Sequence, residues 1–60
     1  MNYKVRYANE EMTIDKRTPR MAAQEFKDLL NGKVTFNNAD EITVSNTMGD
    51  TFKVAISKLN

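Results

Sequence analysis

Apolar and polar residues alternate along two short stretches near the start of the chain. Tyr3, Val5 and Tyr7 alternate with basic residues, and Met12 and Ile14 alternate with polar ones. This period of two predicts two β-strands, each with one buried face. The segment between them is short and polar, so the two strands are predicted to form a hairpin.

The register of this hairpin is predicted from the requirement that all apolar side chains share one face. The predicted cross-strand partners are Tyr7 and Met12, Val5 and Ile14, Lys4 and Asp15, and Arg6 and Thr13. A slip by one residue would move half of the apolar side chains to the opposite face. We therefore expect one apolar face and one charged face.

A helix is predicted over residues 19–30. Thr18 is suited to cap the free N–H groups of the first turn, and Pro19 is suited to the first helical position. Gly32 is placed for a left-handed residue just after the helix. The residues at the spacing of one apolar helical face are Ala22, Ala23, Phe26, Leu29 and Leu30.

Two or three further strands are predicted after the helix. The segment 33–36 is interpreted as a short strand, and segments 41–45 and 51–56 alternate in the same way as the first hairpin. A three-residue loop, Thr47–Gly49, would place Gly49 in the positive-φ position that such loops require. The predicted partners in this second hairpin are Val44 and Phe52, and Ile42 and Val54.

These elements predict a single α+β domain over residues 1–60. We expect two layers: one mixed or antiparallel sheet of four or five strands, packed on a single helix in the order ββαβββ. If the helix brings the first strand beside the last, the arrangement is β-grasp-like. The element order, the opening Met1–Lys4 and the closing hairpin resemble the small immunoglobulin-binding domains of bacterial surface proteins. The resemblance implies only an architecture: the segment 34–36 departs from it, and no binding residue is transferred.

The composition argues against catalysis. The 60 residues include no cysteine and no histidine, which excludes disulfides, the common zinc patterns and the usual nucleophilic triads. Gly32 and Gly49 are the only glycines, and both have turn roles, so there is no glycine-rich phosphate loop. We expect no enzyme activity, no cofactor and no metal.

The first twenty residues are rich in charge and contain no apolar run of the length found in signal peptides or membrane spans. The expected location is the cytoplasm. The net charge of +1 does not indicate a strongly cationic nucleic-acid binder or an acidic mimic of DNA.

One candidate surface is basic. Lys16, Arg17 and Arg20 cluster where the helix begins, and Arg6 and Lys53 extend this charge over the open sheet face. The cluster predicts nucleic-acid binding as one alternative. The other interpretation is that these side chains are solvated or paired with acidic neighbours. The open face lacks the aromatic side chains on which bases stack.

The other candidate surface is apolar. Met48 lies at a hairpin tip, where it either contacts a partner or folds back over its own strand. Tyr3 and Tyr7 either form an exposed edge patch or belong to the core. The leading hypothesis is a non-enzymatic protein-binding module, such as an inhibitor or accessory protein of the kind found in phages and mobile elements. It would act through Met48 or through a sheet edge, where a homodimer is the alternative to a strand from a partner.

Overall fold

The computed structural model describes residues 1–60. The elements are, in chain order, β1 (Asn2–Tyr7), β2 (Glu10–Asp15), α1 (Pro19–Leu30), β3 (Glu41–Ser45) and β4 (Thr51–Ala55), followed by a short 3-10 turn, Ile56–Lys58. The predicted α+β class, with one helix packed on one sheet, is confirmed. The predicted ββαβββ order is wrong, because only two strands follow the helix.

The sheet has the strand order β2-β1-β3-β4, and every neighbouring pair is antiparallel. Because β1 is antiparallel to both of its neighbours, β2 and β3 run in the same direction with β1 between them. The helix is therefore a crossover, but the strands that it connects are β2 and β3. The β-grasp arrangement, in which β1 pairs with the last strand, is wrong because β3 occupies that position.

The segment 33–36 forms no strand. Its one ladder contact is an isolated bridge between Asn31 and Val34. The ring of Phe36 instead stacks on Tyr7, with 5.0 Å between the ring centroids, and meets Phe26 edge-on at 6.1 Å. Apolar side chains in this segment thus pack against the core from a loop. Because they alternate with polar residues, the sequence pattern of this loop is the same as that of a strand.

The first hairpin differs from the predicted register by two residues. The observed partners on the apolar face are Tyr3 and Ile14, Val5 and Met12, and Tyr7 and Glu10, while Lys4 faces Thr13 and Arg6 faces Glu11. The loop is only Ala8 and Asn9, with Ala8 at φ 53°. A shift of two residues leaves every side chain on its predicted face. The predicted register of the second hairpin is confirmed.

The helix begins and ends where it was predicted. The Thr18 hydroxyl accepts a hydrogen bond from the Met21 N–H at 3.1 Å, and Gly32 adopts φ 95°. The buried side chains of the helix are Ala22, Ala23, Phe26 and Leu30. Leu29 was predicted to share their face but is 58% exposed. It lies at the margin of the apolar face of the helix.

The core lies between the helix and one face of the sheet, and the Tyr3 hydroxyl is its only polar side-chain group. Its members are Tyr3, Val5, Ile14, Ala22, Ala23, Phe26, Leu30, Ile42, Val44 and Ile56. The last residues return along the helix, where the Asn60 N–H donates to Gln24 and its carbonyl accepts from Lys27, both at 2.9 Å. No helix has the length and apolar character needed to cross a membrane.

Candidate functional site

The turn between β3 and β4 is held by a single asparagine. Asn46 forms a backbone hydrogen bond with Asp50 at 3.0 Å. Its side-chain oxygen accepts from the N–H groups of Met48 and Asp50, both at 2.9 Å, and its amide donates to the Asp50 carboxylate at 3.1 Å. Gly49 adopts φ 89°, which confirms the predicted three-residue loop. The loop backbone is therefore specified by its own side chains.

Met48 projects from this loop. It is 79% exposed, the highest value among the large apolar residues of the chain. Of the two interpretations of Met48, folding back over its own strand or pointing into solvent, the structure shows the second.

Tyr3 lies elsewhere. It is 3% exposed, and its hydroxyl lies near the Met1 sulfur at 3.3 Å and the Arg17 carbonyl at 3.4 Å. The side chain thus belongs to the core, beneath the start of the helix. Of the two alternatives for Tyr3, the structure supports core packing.

Tyr7 is half-buried and closes the opposite end of the core. Besides stacking on Phe36, its hydroxyl donates to the Asp40 carboxylate at 2.7 Å and accepts from the Asn37 N–H at 3.2 Å. The Asn37 hydrogen bond favours the phenolate and lowers the pKa of Tyr7. The hydrogen bond to Asp40, partial burial and the charge of Asp40 outweigh it, so the pKa is raised above its ordinary value of 10.0.

The raised pKa leads to a prediction about Asp40. Replacing Asp40 with asparagine should lower the pKa of Tyr7, because a negative charge is removed while the Asn37 N–H remains. The folded state of the unmodified chain holds the phenol proton more tightly than the unfolded chain. The resulting stabilisation is fully present below about pH 10 and is lost as the pH rises through the raised pKa. Titration of the Tyr7 ring by NMR measures the shift.

The control for this titration is Asp50→Asn, which removes a carboxylate from the other loop and should leave the pKa of Tyr7 unchanged. An unchanged pKa in Asp40→Asn would show that the carboxylate does not act on this phenol.

Three of the five basic residues of the sequence prediction lie near one another, because Lys53 lines one depression with Arg6 and another with Arg20. Lys16 and Arg17 line neither depression. Lys16 pairs with Glu25 at 3.0 Å, and Arg20 donates to the Lys58 carbonyl. The Arg17 side chain is exposed and forms neither a hydrogen bond nor an ion pair. Arg6 and Lys53 lie on the open sheet face, on either side of Thr43.

Arg6 and Lys53 line a shallow depression that also contains two acids, Asp40 and Glu41. Positive and negative charges therefore alternate on this part of the open face. The tyrosines and phenylalanines of the strands all lie on the other face, in agreement with the sequence prediction.

Sequence reasoning named the sheet edges as candidate surfaces but had no signal for which strands form them. The structure places β2 and β4 at the edges. It also leaves Phe52 38% exposed on β4, a residue that the sequence pattern assigned to the covered face. A strand at the centre of the sheet would have covered this ring on both sides.

No group of three or more acidic side chains is arranged to hold a metal ion. Protein-family models, curated proteins and solved structures were compared with the chain, and none matches it. We therefore infer function from the geometry of this chain alone.

Proposed function

We propose that this chain is a non-enzymatic protein-binding module that contacts its partner through the tip of the β3–β4 hairpin. The observation that supports this proposal is the 79% exposure of Met48 on a loop whose backbone is held by Asn46. A small inhibitor or accessory protein, of the kind used by phages and mobile elements, has this profile. We place its action in the cytoplasm, as expected from the sequence.

The energetics favour such a contact. Complete burial of a methionine side chain contributes about 1.5–3 kcal/mol. The unbranched, polarisable side chain adapts to the shape of the surface that it meets. Since the loop is ordered before binding, little conformational entropy is lost in the complex, so more of this energy remains as affinity.

The experiment is a pull-down with the tagged chain from a lysate of its source cells, with and without nuclease. We expect a protein that remains bound after nuclease treatment. Met48→Asp should reduce its retention by about tenfold or more, which corresponds to about 1.4 kcal/mol. The reason is that an aspartate cannot enter an apolar pocket without losing its hydration.

The matched control is Met21→Asp. Met21 is also an exposed methionine, at 45%, but it lies on the helix and away from the hairpin tip. It should retain the partner. Equal retention by the unmodified chain and by Met48→Asp would exclude the tip as the contact surface.

Nucleic-acid binding is the other candidate, and the geometry supports it less. Lys16 and Arg20 already have partners in the chain, and the open face holds acids beside its cations. The nuclease arm separates the two proposals: capture that nuclease abolishes would favour nucleic acid. In that case, binding should also weaken steeply with salt and be lost in Arg17→Glu combined with Arg20→Glu.

A further inference from the structure

The two edges of the sheet carry opposite charge. At one edge, β2 contains Glu10, Glu11 and Asp15 and no basic residue. At the other edge, β4 contains Lys53 and no acid. Like charges directly opposite each other on paired strands are destabilising, whereas opposite charges are favourable. The β4 edge is therefore the one that favours an acidic strand.

The hydrogen bonds between β3 and β4 determine which backbone groups of β4 face outward. Hydrogen bonds from Asn46 to Asp50 at 3.0 Å, and from Ile56 to Asp40 at 3.1 Å, lie at the two ends of this ladder. In an antiparallel pair, the residues that exchange hydrogen bonds alternate with residues that do not. Even-numbered residues of β4 thus bond to β3. The N–H and C=O groups of Thr51, Lys53 and Ala55 point away from the sheet.

The side chains around this edge add charge and apolar surface. Phe52 presents its exposed ring on the helix side of the strand. Near the end of β4, a depression is lined by Val54 and Ala55 together with the cations Arg20, Lys53 and Lys58. Glu41 is the single acid that lines it. Three cations against one acid leave this depression positive, while on the open face Lys53 also borders Asp40 and Glu41.

We propose that the outer edge of β4 binds an extended acidic segment of a partner protein as an additional strand of the sheet. The inference rests on the proposed function, because β4 belongs to the hairpin that carries Met48. The recognised segment alternates acidic and apolar residues. An acidic residue lies opposite Lys53, and apolar residues lie opposite Phe52 and Val54. Main-chain hydrogen bonds supply affinity and the alternating side chains supply specificity.

A second copy of the chain fits this edge less well. Its acidic strand is β2, in which Asp15 already pairs with the N-terminal ammonium at 2.9 Å and Glu10 with Lys33 at 3.7 Å. Pairing β2 of one copy with β4 of another also leaves a free edge at each end, so this association does not close. Both features favour a segment from a different protein.

The test is an NMR titration of the isotope-labelled full chain with a capped peptide of sequence Glu-Val-Glu-Ile-Glu. The amide signals of Thr51, Lys53 and Ala55 should shift, and these amides should exchange more slowly with solvent. The matched peptide Lys-Val-Lys-Ile-Lys should bind about tenfold more weakly or not at all, because it repels the cations at this edge. Lys53→Glu should reverse the preference between the two peptides.

Proline substitutions at the two edges provide a matched pair of variants. Thr51→Pro removes an outward-facing N–H of β4, and Thr13→Pro removes one on β2, where outward-facing residues alternate in the same way. We expect peptide binding to be lost in Thr51→Pro and kept in Thr13→Pro. If Thr51→Pro fails to fold, the reversal in Lys53→Glu tests the same edge with the backbone unchanged.

Three results would overturn this inference: no amide shifts at millimolar peptide, shifts confined to β2, or shifts that depend on protein concentration without peptide. The last would indicate self-association. Peptide binding is measured with the unmodified chain and partner capture with Met48→Asp, so the two proposals are tested by separate readouts. If Met48→Asp loses partner capture and the peptide does not bind, only the proposal for the β4 edge is contradicted. If the peptide binds and Met48→Asp still captures the partner, only the proposal for the hairpin tip is contradicted.

Discussion

Replacing Phe26 with alanine is expected to remove a large part of the stability of the folded chain. Phe26 is fully buried at the centre of the core and meets Phe36 edge-on. Removing a buried phenylalanine ring costs about 3–5 kcal/mol, because contacts are lost and a cavity remains. A domain of 60 residues has a total free energy of unfolding of roughly 3–9 kcal/mol. The substitution thus removes at least about a third of the stability, and all of it at the lower end of this range.

Urea unfolding followed by circular dichroism measures this effect. The matched control is Leu29→Ala, on the same helix, where 58% exposure predicts a change within about 0.5 kcal/mol. Similar losses for the two variants would contradict the orientation of the helix on the sheet.

Replacing Ile56 with alanine should cost about 2–5 kcal/mol, and replacing it with valine about 0.5–1.5 kcal/mol. Ile56 lies just after β4, is 1% exposed, and donates its N–H to the Asp40 carbonyl at 3.1 Å. It is the only fully buried side chain in the segment that follows β4. Thermal unfolding of the two variants measures both values.

The difference between the stability losses of the alanine and valine variants tests whether Ile56 is tightly packed. A larger loss for alanine than for valine indicates a packed methyl group that leaves a cavity when it is removed. Equal and small losses would show that the end of the chain is not docked on the helix. That outcome would also contradict the contacts of Asn60 with Gln24 and Lys27.

The features that the sequence predicted correctly are set by neighbouring residues. The helix bounds follow from Thr18, Pro19 and Gly32, whose backbone preferences act within one turn. The register of the β3–β4 hairpin follows from Gly49, because a three-residue loop with one positive-φ residue leaves a single way to pair the strands. The assignment of side chains to the two faces of each strand follows from the period of two.

The incorrect features depend on residues that are distant in the chain. A shift of two residues in the first hairpin preserves both faces, so alternation cannot detect it, and the tight turn uses Ala8 at φ 53°, where no glycine marks it. The segment 33–36 alternates like a strand, but the neighbours of β1 are β2 and β3, so its side chains pack from a loop.

The candidate surfaces divide in the same way. The sequence placed Met48 at a hairpin tip, because its loop residues are contiguous, and only the folded loop showed that this side chain is exposed. The tertiary structure decided that Tyr3 is buried and which of the basic residues lie near the outer edge of β4. Each depends on strand order, which is set by how all the apolar faces are covered together, and no local pattern encodes it.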